Sequence, residues 1–318
     1  GLLEALIQLG NKIDRITLAE ANLRPLADTP QDKVEQHFGF STLAIHRAAL
    51  QQFLVSKLPK ERVQLGKAFS HFTTLPTGKI KTHFKDGTSF ESNYLIGADG
   101  IHSGVRQQIF PESTLRYSGQ TCWRGIAEMD LPKRHQHQGI ELWGDQIRFG
   151  LSGIAPGKVY WFAVALRPAQ QQDEPGLKDH LLQQFSSFTP LVNQLIRHTP
   201  ATNINRSDIN DLSPIPTWHK DNVCLIGDAA HATTPNMGQG GAQAIEDAYY
   251  LAQKVAAGGE AFTAFQAARE QKVRTVVSQS WLTGKMAHWK YGRGLRNFML
   301  RATPKRLLEK KMMEMYQL

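Results

Sequence analysis

Cysteine is nearly missing from this sequence. Cys122 and Cys224 are the whole supply, far apart and without metal-site spacing. That excludes a disulfide scaffold and suits a reducing compartment. Long apolar runs are missing too: the cleanest stretches, such as Tyr160 to Leu166, have the length of a strand, so no segment reads as a membrane span. The opening Gly1-Leu2-Leu3-Glu4-Ala5-Leu6 has no basic n-region and no cleavage signal, and is not expected to be a secretory leader. The sequence contains no G-x-G-x-x-G fingerprint, no P-loop, no internal repeat and no tract dominated by Pro, Gly or Ser. These absences leave a soluble, cytoplasmic, globular protein as the expectation.

What is present can build a large core. The chain has 318 residues, 41% of them hydrophobic, enough for one big or two ordinary domains. The formal net charge is +9, but the basic residues are scattered and not interleaved with aromatics, so nucleic acid is not an expected partner. The densest basic cluster, Arg301, Lys305, Arg306, Lys310 and Lys311, reads as the solvated face of an amphipathic helix. Excess positive potential would help attract anionic small molecules such as NADPH or aromatic carboxylates.

Pattern divides the chain. Leu2, Leu3, Leu6, Ile7 and Leu9 have helical spacing, and Ile16 to Ala19 is strand-like. After Gly39 a helix is expected with Ser41 as N-cap and Leu43, Leu50 and Leu54 on one face. Short strands flank a Thr77-Gly78 turn and an Asp86-Gly87 turn, and the strand Tyr94 to Ala98 runs into Asp99-Gly100. From about Tyr117 to Pro216 aromatic-rich alternating segments predict an antiparallel sheet, interrupted by a helix over Lys178 to Phe185 and followed by one near Leu191 to Arg197. A buried-type strand, Val223 to Ile226, then ends at Gly227-Asp228. A glycine-rich loop leads into a helix over about Gly241 to Ala257, and the rest is helical.

The richest segment is Gly227-Asp228-Ala229-Ala230-His231-Ala232-Thr233-Thr234-Pro235-Asn236-Met237-Gly238-Gln239-Gly240-Gly241-Ala242. A hydrophobic strand delivers an aspartate to its C-terminal end, where open α/β sheets bind ligands. The clustered glycines let backbone N–H groups approach a ligand, and a helix N-terminus adds partial positive charge. By residue chemistry alone this is either an ordinary strand-to-helix turn with a capping Asp or a cradle for a polyol and an anion. His231 reads as a loop residue bonding the backbone, or else as a general base.

Taken whole, the segment resembles the second FAD-contacting motif of the class A flavoprotein monooxygenases, the family of para-hydroxybenzoate hydroxylase, urate-type hydroxylases and zeaxanthin epoxidase. Asp99-Gly100-Ile101-His102-Ser103-Gly104-Val105-Arg106 is similar to that family's D-G-x-x-S-x-V-R element, and Ile45-His46-Arg47-Ala48-Ala49-Leu50 to its helix whose arginine reaches the flavin. With the run Phe265 to Arg274, the resemblance covers essentially the whole chain. It implies an α/β fold: a three-layer FAD-binding domain, incomplete at its N-terminus where the family carries G-x-G-x-x-G, an inserted, mainly antiparallel β-sheet substrate domain, and C-terminal helices. The expected parts are residues 1–13, 41–113 and 216–290 for FAD, 14–40 and 114–215 for substrate, and 291–318 as a helical segment.

The implied activity is hydroxylation or epoxidation of a small aromatic or other electron-rich substrate, using NADPH or NADH and O2 through a flavin C4a-hydroperoxide. The implied FAD ligands are Arg47, Asp99, Gly100, Arg106, Gly227, Asp228, Pro235, Gly238, Gln239, Gly240, Gly241 and Ala242. Arg148 and Tyr160 resemble the substrate-facing residues of the urate-type hydroxylases, their alternative being a solvent-facing strand arginine and a core tyrosine. Trp123, Trp143 and Trp161 would wall a pocket or fill a core. Other readings are a non-catalytic remnant that binds a ligand or partner, and a related flavin reductase or halogenase.

Overall fold

The computed structural model describes residues 2–173 and 175–317; Gly1, part of the expected opening helix, lies outside them. Along the chain come α1 (Leu3–Leu9), β1 (Asn11–Ile13), β2 (Arg15–Glu20), β3 (Pro25–Pro30), α2 (Asp32–Phe38), β4 (Thr42–Ala44) and α3 (Arg47–Ser56). Next are β5 (Phe69–Thr74), β6 (Ile80–Phe84), β7 (Ser89–Ser92), β8 (Leu95–Gly97), α4 (Gly104–Ile109) and the long β9 (Leu115–Glu128). Strands β10 (Gln138–Trp143), β11 (Ile147–Ala155) and β12 (Lys158–Leu166) lead to α5 (Leu177–Gln184), α6 (Pro190–Arg197) and β13 (Asn205–Leu212). The chain continues through β14 (His219–Lys220), β15 (Val223–Leu225), α7 (Asp228–His231), α8 (Gly240–Ala257), α9 (Ala261–Ala287), α10 (Arg293–Ala302) and α11 (Lys305–Tyr316).

Two compact units share these elements. The first comprises Gly1–Arg62, Gly119–Asp208 and Ala287–Leu318, the second Val63–Ser118 and Ile209–Met286. The first is built on a seven-stranded sheet of order β13-β9-β12-β11-β10-β2-β3, in which β10 and β2 run parallel and β9, β12, β11 and β10 antiparallel to one another. Alternation sorts its two faces. Trp123, Leu142, Phe149, Leu151, Trp161 and Ala163 turn one way and cluster with Leu181 and Phe185 of α5 and Val192, Leu195 and Ile196 of α6. Each large side chain buried there contributes about 1.5–3 kcal/mol. Gly125 is required at this face: a Cβ on it would lie 2.6 Å from the Trp161 ring. Helix α6 starts where Pro190 takes its first turn, since proline's missing N–H costs nothing there.

The second unit holds the meander β5-β6-β7 and the three-stranded sheet β14-β15-β8. Both expected turns close the meander, with Gly78 and Gly87 at positive φ and Asp86 accepting the backbone N–H and hydroxyl of Thr88. Val105, Ile109, Trp218, Val223, Leu225, Phe265 and Val273 form its core.

One element departs from the pattern reading. No helix starts at Ser41. Its hydroxyl donates to Glu35 Oε1 at 2.7 Å, and Thr42–Ala44 pairs with Asn11–Ile13 as a strand. Helix α3 begins instead at Arg47 and buries no residue; Leu43 falls in the strand, while Leu50 and Leu54, four apart, share one side of the helix as expected. A helix not foreseen, α2, ends just before it at Gly39 with φ +74°. The tertiary strand pairing overrides a local capping preference.

Candidate functional site

The geometry starts from two strand ends. β15 and β8 are neighbours and parallel, with Val223 opposite Leu95 and Leu225 opposite Gly97. Asp99 and Asp228 therefore leave adjacent strands at the same end of the sheet. Parallel strands bring their C-terminal ends together, which is why such ends collect ligand-binding loops.

The two aspartates are used differently. Asp99 is engaged by the protein: Oδ1 accepts the Ser103 hydroxyl at 2.5 Å and Oδ2 the Val105 N–H at 3.2 Å. Ser103 in turn caps α4 by accepting the Arg106 N–H at 2.9 Å. Gly100, with φ +82°, makes the turn that lets one carboxylate close this loop. Arg106 is fully buried and donates to the carbonyls of Ala229 at 3.0 Å and Ile101 at 2.6 Å and to the Ser113 hydroxyl at 3.2 Å. Burial draws its guanidinium below its usual range, the Asp99 charge opposing this. The D-G-x-x-S-x-V-R element is thus an internal brace that ties one strand end to the next.

Asp228 is the exposed one. Its carboxylate has no hydrogen-bond partner among the described residues, and its Oδ1 lies 3.9 Å from where a Cβ on Gly240 would stand. The strand end and the glycine turn therefore face each other. Gly238, Gly241, Ala242 and Pro235 are exposed, and Gln239 is buried. Gly238 has φ +65°, and neither it nor Gly241 has any atom within 4 Å of a notional Cβ, so backbone is open to a ligand there. Helix α8 begins at this turn, and the first N–H groups of a helix have no partner within it. The loop is held from behind: Asn236 Nδ2 donates to Thr234 Oγ1 and to the Ser280 carbonyl, each at 2.9 Å.

A buried polar network lies under this turn, and the sequence reading passed over it. Asp247, fully buried on α8, accepts the Gly227 N–H at 2.9 Å, His231 Nε2 at 2.6 Å and Arg269 Nε at 2.9 Å. Burial pushes this carboxyl up, but the hydrogen bond and charge of His231, the Gly227 N–H and Arg269 together hold it below its ordinary value. Arg269 also bonds Gln243 Oε1 at 2.7 Å and Glu246. The His231 ring accordingly bonds a buried carboxylate and not the backbone that the loop reading expected. A signal existed: Gln243, Asp247 and Leu251, spaced four apart, are the buried residues of α8, so two polar groups occupy the face that should be apolar.

In the first unit, Arg148 is buried and not solvent-facing. It donates to Glu141 Oε1 at 3.1 Å and Gln120 Oε1 at 3.2 Å. Register places it opposite Val164 and Tyr160 opposite Ser152, so the two share the sheet face away from the Trp161 core, with Phe162 over Gly150 between them. Burial pushes the Tyr160 phenol up, with Arg124 opposing. Trp123 and Trp161 belong to the opposite, core face. Trp143 lies on the Arg148 face, its Nε1 on Glu141 at 2.8 Å and its ring 4.9 Å beneath the Arg296 guanidinium. Arg47 is exposed at the first residue of α3, without a partner among the described residues.

An unpartnered carboxylate facing exposed backbone N–H groups on glycines is a fit for a cofactor that carries both a polyol chain and an anionic edge. Residues 11–279 match the sequence family described as FAD binding domain. The chain belongs to that family. Among curated proteins this flavoprotein is 36% identical over 292 residues to aurachin C monooxygenase/isomerase of Stigmatella aurantiaca, covering 91% of this chain and 76% of that one. It is 34% identical over 272 residues to 2-heptyl-3-hydroxy-4(1H)-quinolone synthase of Pseudomonas aeruginosa, covering 82% and 70%. Among solved structures, HpxO of Klebsiella pneumoniae complexed with FAD and uric acid superposes with a TM-score of 0.89 at 25% identity, over 98% of this chain and 82% of that one. The flavoprotein is a class A FAD-dependent monooxygenase, an oxidoreductase acting on a small molecule. Among the described residues, no helix is long and apolar enough to cross a membrane.

Proposed function

We propose that this monooxygenase hydroxylates a neutral, carbonyl-bearing heteroaromatic ring of the quinolone class, with NADPH or NADH as the electron donor. The balance is one NAD(P)H, one proton, one O2 and the ring giving NAD(P)+, water and the hydroxylated ring. FAD, when bound, supplies the two-electron chemistry that splits O2 between product and water; the protein supplies position and electrostatics.

Asp228 is assigned to the ribityl hydroxyls, as an exposed carboxylate without another partner. Pro235, exposed at the same turn, would pack beside the flavin ring system. The Gly238 N–H is taken by the Pro235 carbonyl at 3.0 Å, so Gly238 only shapes the turn; the N–H groups of Gln239, Gly240, Gly241 and Ala242 would stabilise negative charge on the flavin. Gly227, Asp99, Gly100 and Arg106 fix the two strand ends, and Arg47, exposed at the start of α3, is the cation that the family resemblance assigns to FAD. Arg148 and Tyr160 orient the substrate.

One observation carries the substrate class. Arg148 already has its counter-charge in Glu141 at 3.1 Å. A guanidinium so paired donates to a carbonyl without needing an anion, whereas a carboxylate substrate would face Glu141 as well. The names of the aurachin and quinolone relatives point the same way. The excess of positive charge suits the anionic nicotinamide donor. Two buried, unpaired cysteines support a cytoplasmic setting.

The test is substrate-stimulated NAD(P)H oxidation by the full-length, FAD-loaded protein, comparing 2-alkyl-4-quinolones with salicylate and urate. A gain of one oxygen atom, drawn from labelled O2, is expected for the quinolone. Arg148→Met should raise the quinolone KM by about 10-fold or more while leaving that for NAD(P)H alone. Preference for salicylate or urate would overturn the substrate class, and equal effects on both KM values would remove Arg148 from the substrate site.

A further inference from the structure

Asp228 is the assigned cofactor ligand, yet nothing local fixes where it points. Its side chain makes no bond within the described protein, and Gly227 before it has φ +57° and ψ −140°, a conformation that a glycine reaches easily but does not hold by itself. The restraint comes from both flanks. On one side the Gly227 N–H is taken by Asp247 at 2.9 Å. On the other, the Ala229 carbonyl is taken by Arg106 at 3.0 Å. His231, one helical turn on, donates to the same Asp247 oxygen that holds Gly227. A single carboxylate oxygen thus grips the residue before Asp228 and the third residue after it. Arg269 holds the other oxygen and is itself buried, bonded to Glu246 and Gln243.

We propose that Asp247, gripped by His231 and Arg269, is the positioning residue of the flavin site, acting through Gly227 to aim Asp228 and the glycine turn at FAD. The physical case is preorganisation. A turn already held in its ligand-bound geometry spends no affinity on ordering itself. A fully buried acid that meets three donors is restrained far more tightly than any surface contact could achieve. A buried polar network of this kind costs stability in desolvation, and replacing it with apolar residues would pack as well. Its position directly behind the residue assigned to the cofactor gives it a use. The space is also closed to alternatives: a Cβ on Gly227 would stand 3.0 Å from Ala244 Cβ on α8.

The inference rests on FAD being held by Asp228, and the experiment separates the two. FAD dissociation constants are measured by flavin fluorescence on the full-length apoprotein for wild type, Asp247→Asn, Asp228→Ala and the double variant, with apoprotein melting followed in parallel. Asp247→Asn keeps the shape but presents a donor where all partners donate, and should weaken FAD binding about tenfold. In the Asp228→Ala background the same change should cost much less, because the residue it aims is gone. Equal fold-changes in both backgrounds would make Asp247 a general structural group and overturn the proposal. Unaltered FAD binding by Asp247→Asn would overturn it as well, while loss of binding only by Asp247→Asn, with Asp228→Ala normal, would instead sink the assignment of Asp228. Should Asp247→Asn fail to fold, His231 decides. His231→Leu should weaken FAD binding several-fold, and His231→Gln, which keeps a side-chain N–H, should recover most of it. Identical behaviour of those two variants would count against the mechanism.

Discussion

Cys224 is fully buried on β15, the strand that leads to Gly227 and Asp228. Burial, with the Asp247 charge adding to it, pushes its thiol from 9.0 up to about 12. Because the folded value lies above the unfolded one, the folded state keeps a proton that the unfolded chain releases. Its contribution to stability is complete below pH 9 and is lost as pH rises toward 12. The Cys122 thiol is raised by burial in the same direction. The native protein at pH 8 should therefore give no reaction with a thiol reagent, and two thiols per chain after denaturation. Fast labelling of either cysteine in native protein would contradict the packing described. Residue chemistry also decides which arginines can meet ligands: Arg106 is consumed by two carbonyls and a hydroxyl, whereas Arg47 is left exposed.

Strands and helices carry the next layer of constraint. On the sheet face shared by Arg148 and Tyr160, Phe162 lies across Gly150 so closely that a Cβ would enter the ring at 2.0 Å. Gly150→Ala must displace Phe162, and overpacking of this kind costs about 1–3 kcal/mol. A lowered melting temperature is expected, together with an altered KM for the aromatic substrate and an unchanged affinity for FAD. Melting at the wild-type temperature would mean that Phe162 has room to move. The elements themselves were mostly legible. Alternating aromatics announced β9 to β12, and Asp86-Gly87 announced its hairpin. The misread stretch after Gly39 shows the limit: Ser41 looked like an N-cap, but Asn11–Ile13, distant in sequence, claimed Thr42–Ala44 as a partner strand. Local propensity cannot register a strand that arrives from elsewhere.

At the scale of the molecule, the net charge of +9 spreads a positive potential that no single residue provides. Attraction of a dinucleotide over distance is screened by salt, since the Debye length falls from about 10 Å at 0.1 M to about 3 Å at 1 M. The KM for NADPH should rise with ionic strength, and that for a neutral quinolone should not. A flat response for NADPH would leave the charge without a role in donor binding. The sequence by itself determined the family, the strand-to-aspartate ends at Asp99 and Asp228, and the glycine turn, because each depends on contiguous residues with a fixed local geometry. Only the tertiary structure decided which carboxylate stays open to a ligand and which is spent inside, that Arg148 is paired by Glu141, and that Asp247 and Arg269 meet under the turn. Those outcomes depend on side chains from separate elements competing for the same donors and acceptors in places water cannot reach, and that competition has no signature in a linear string.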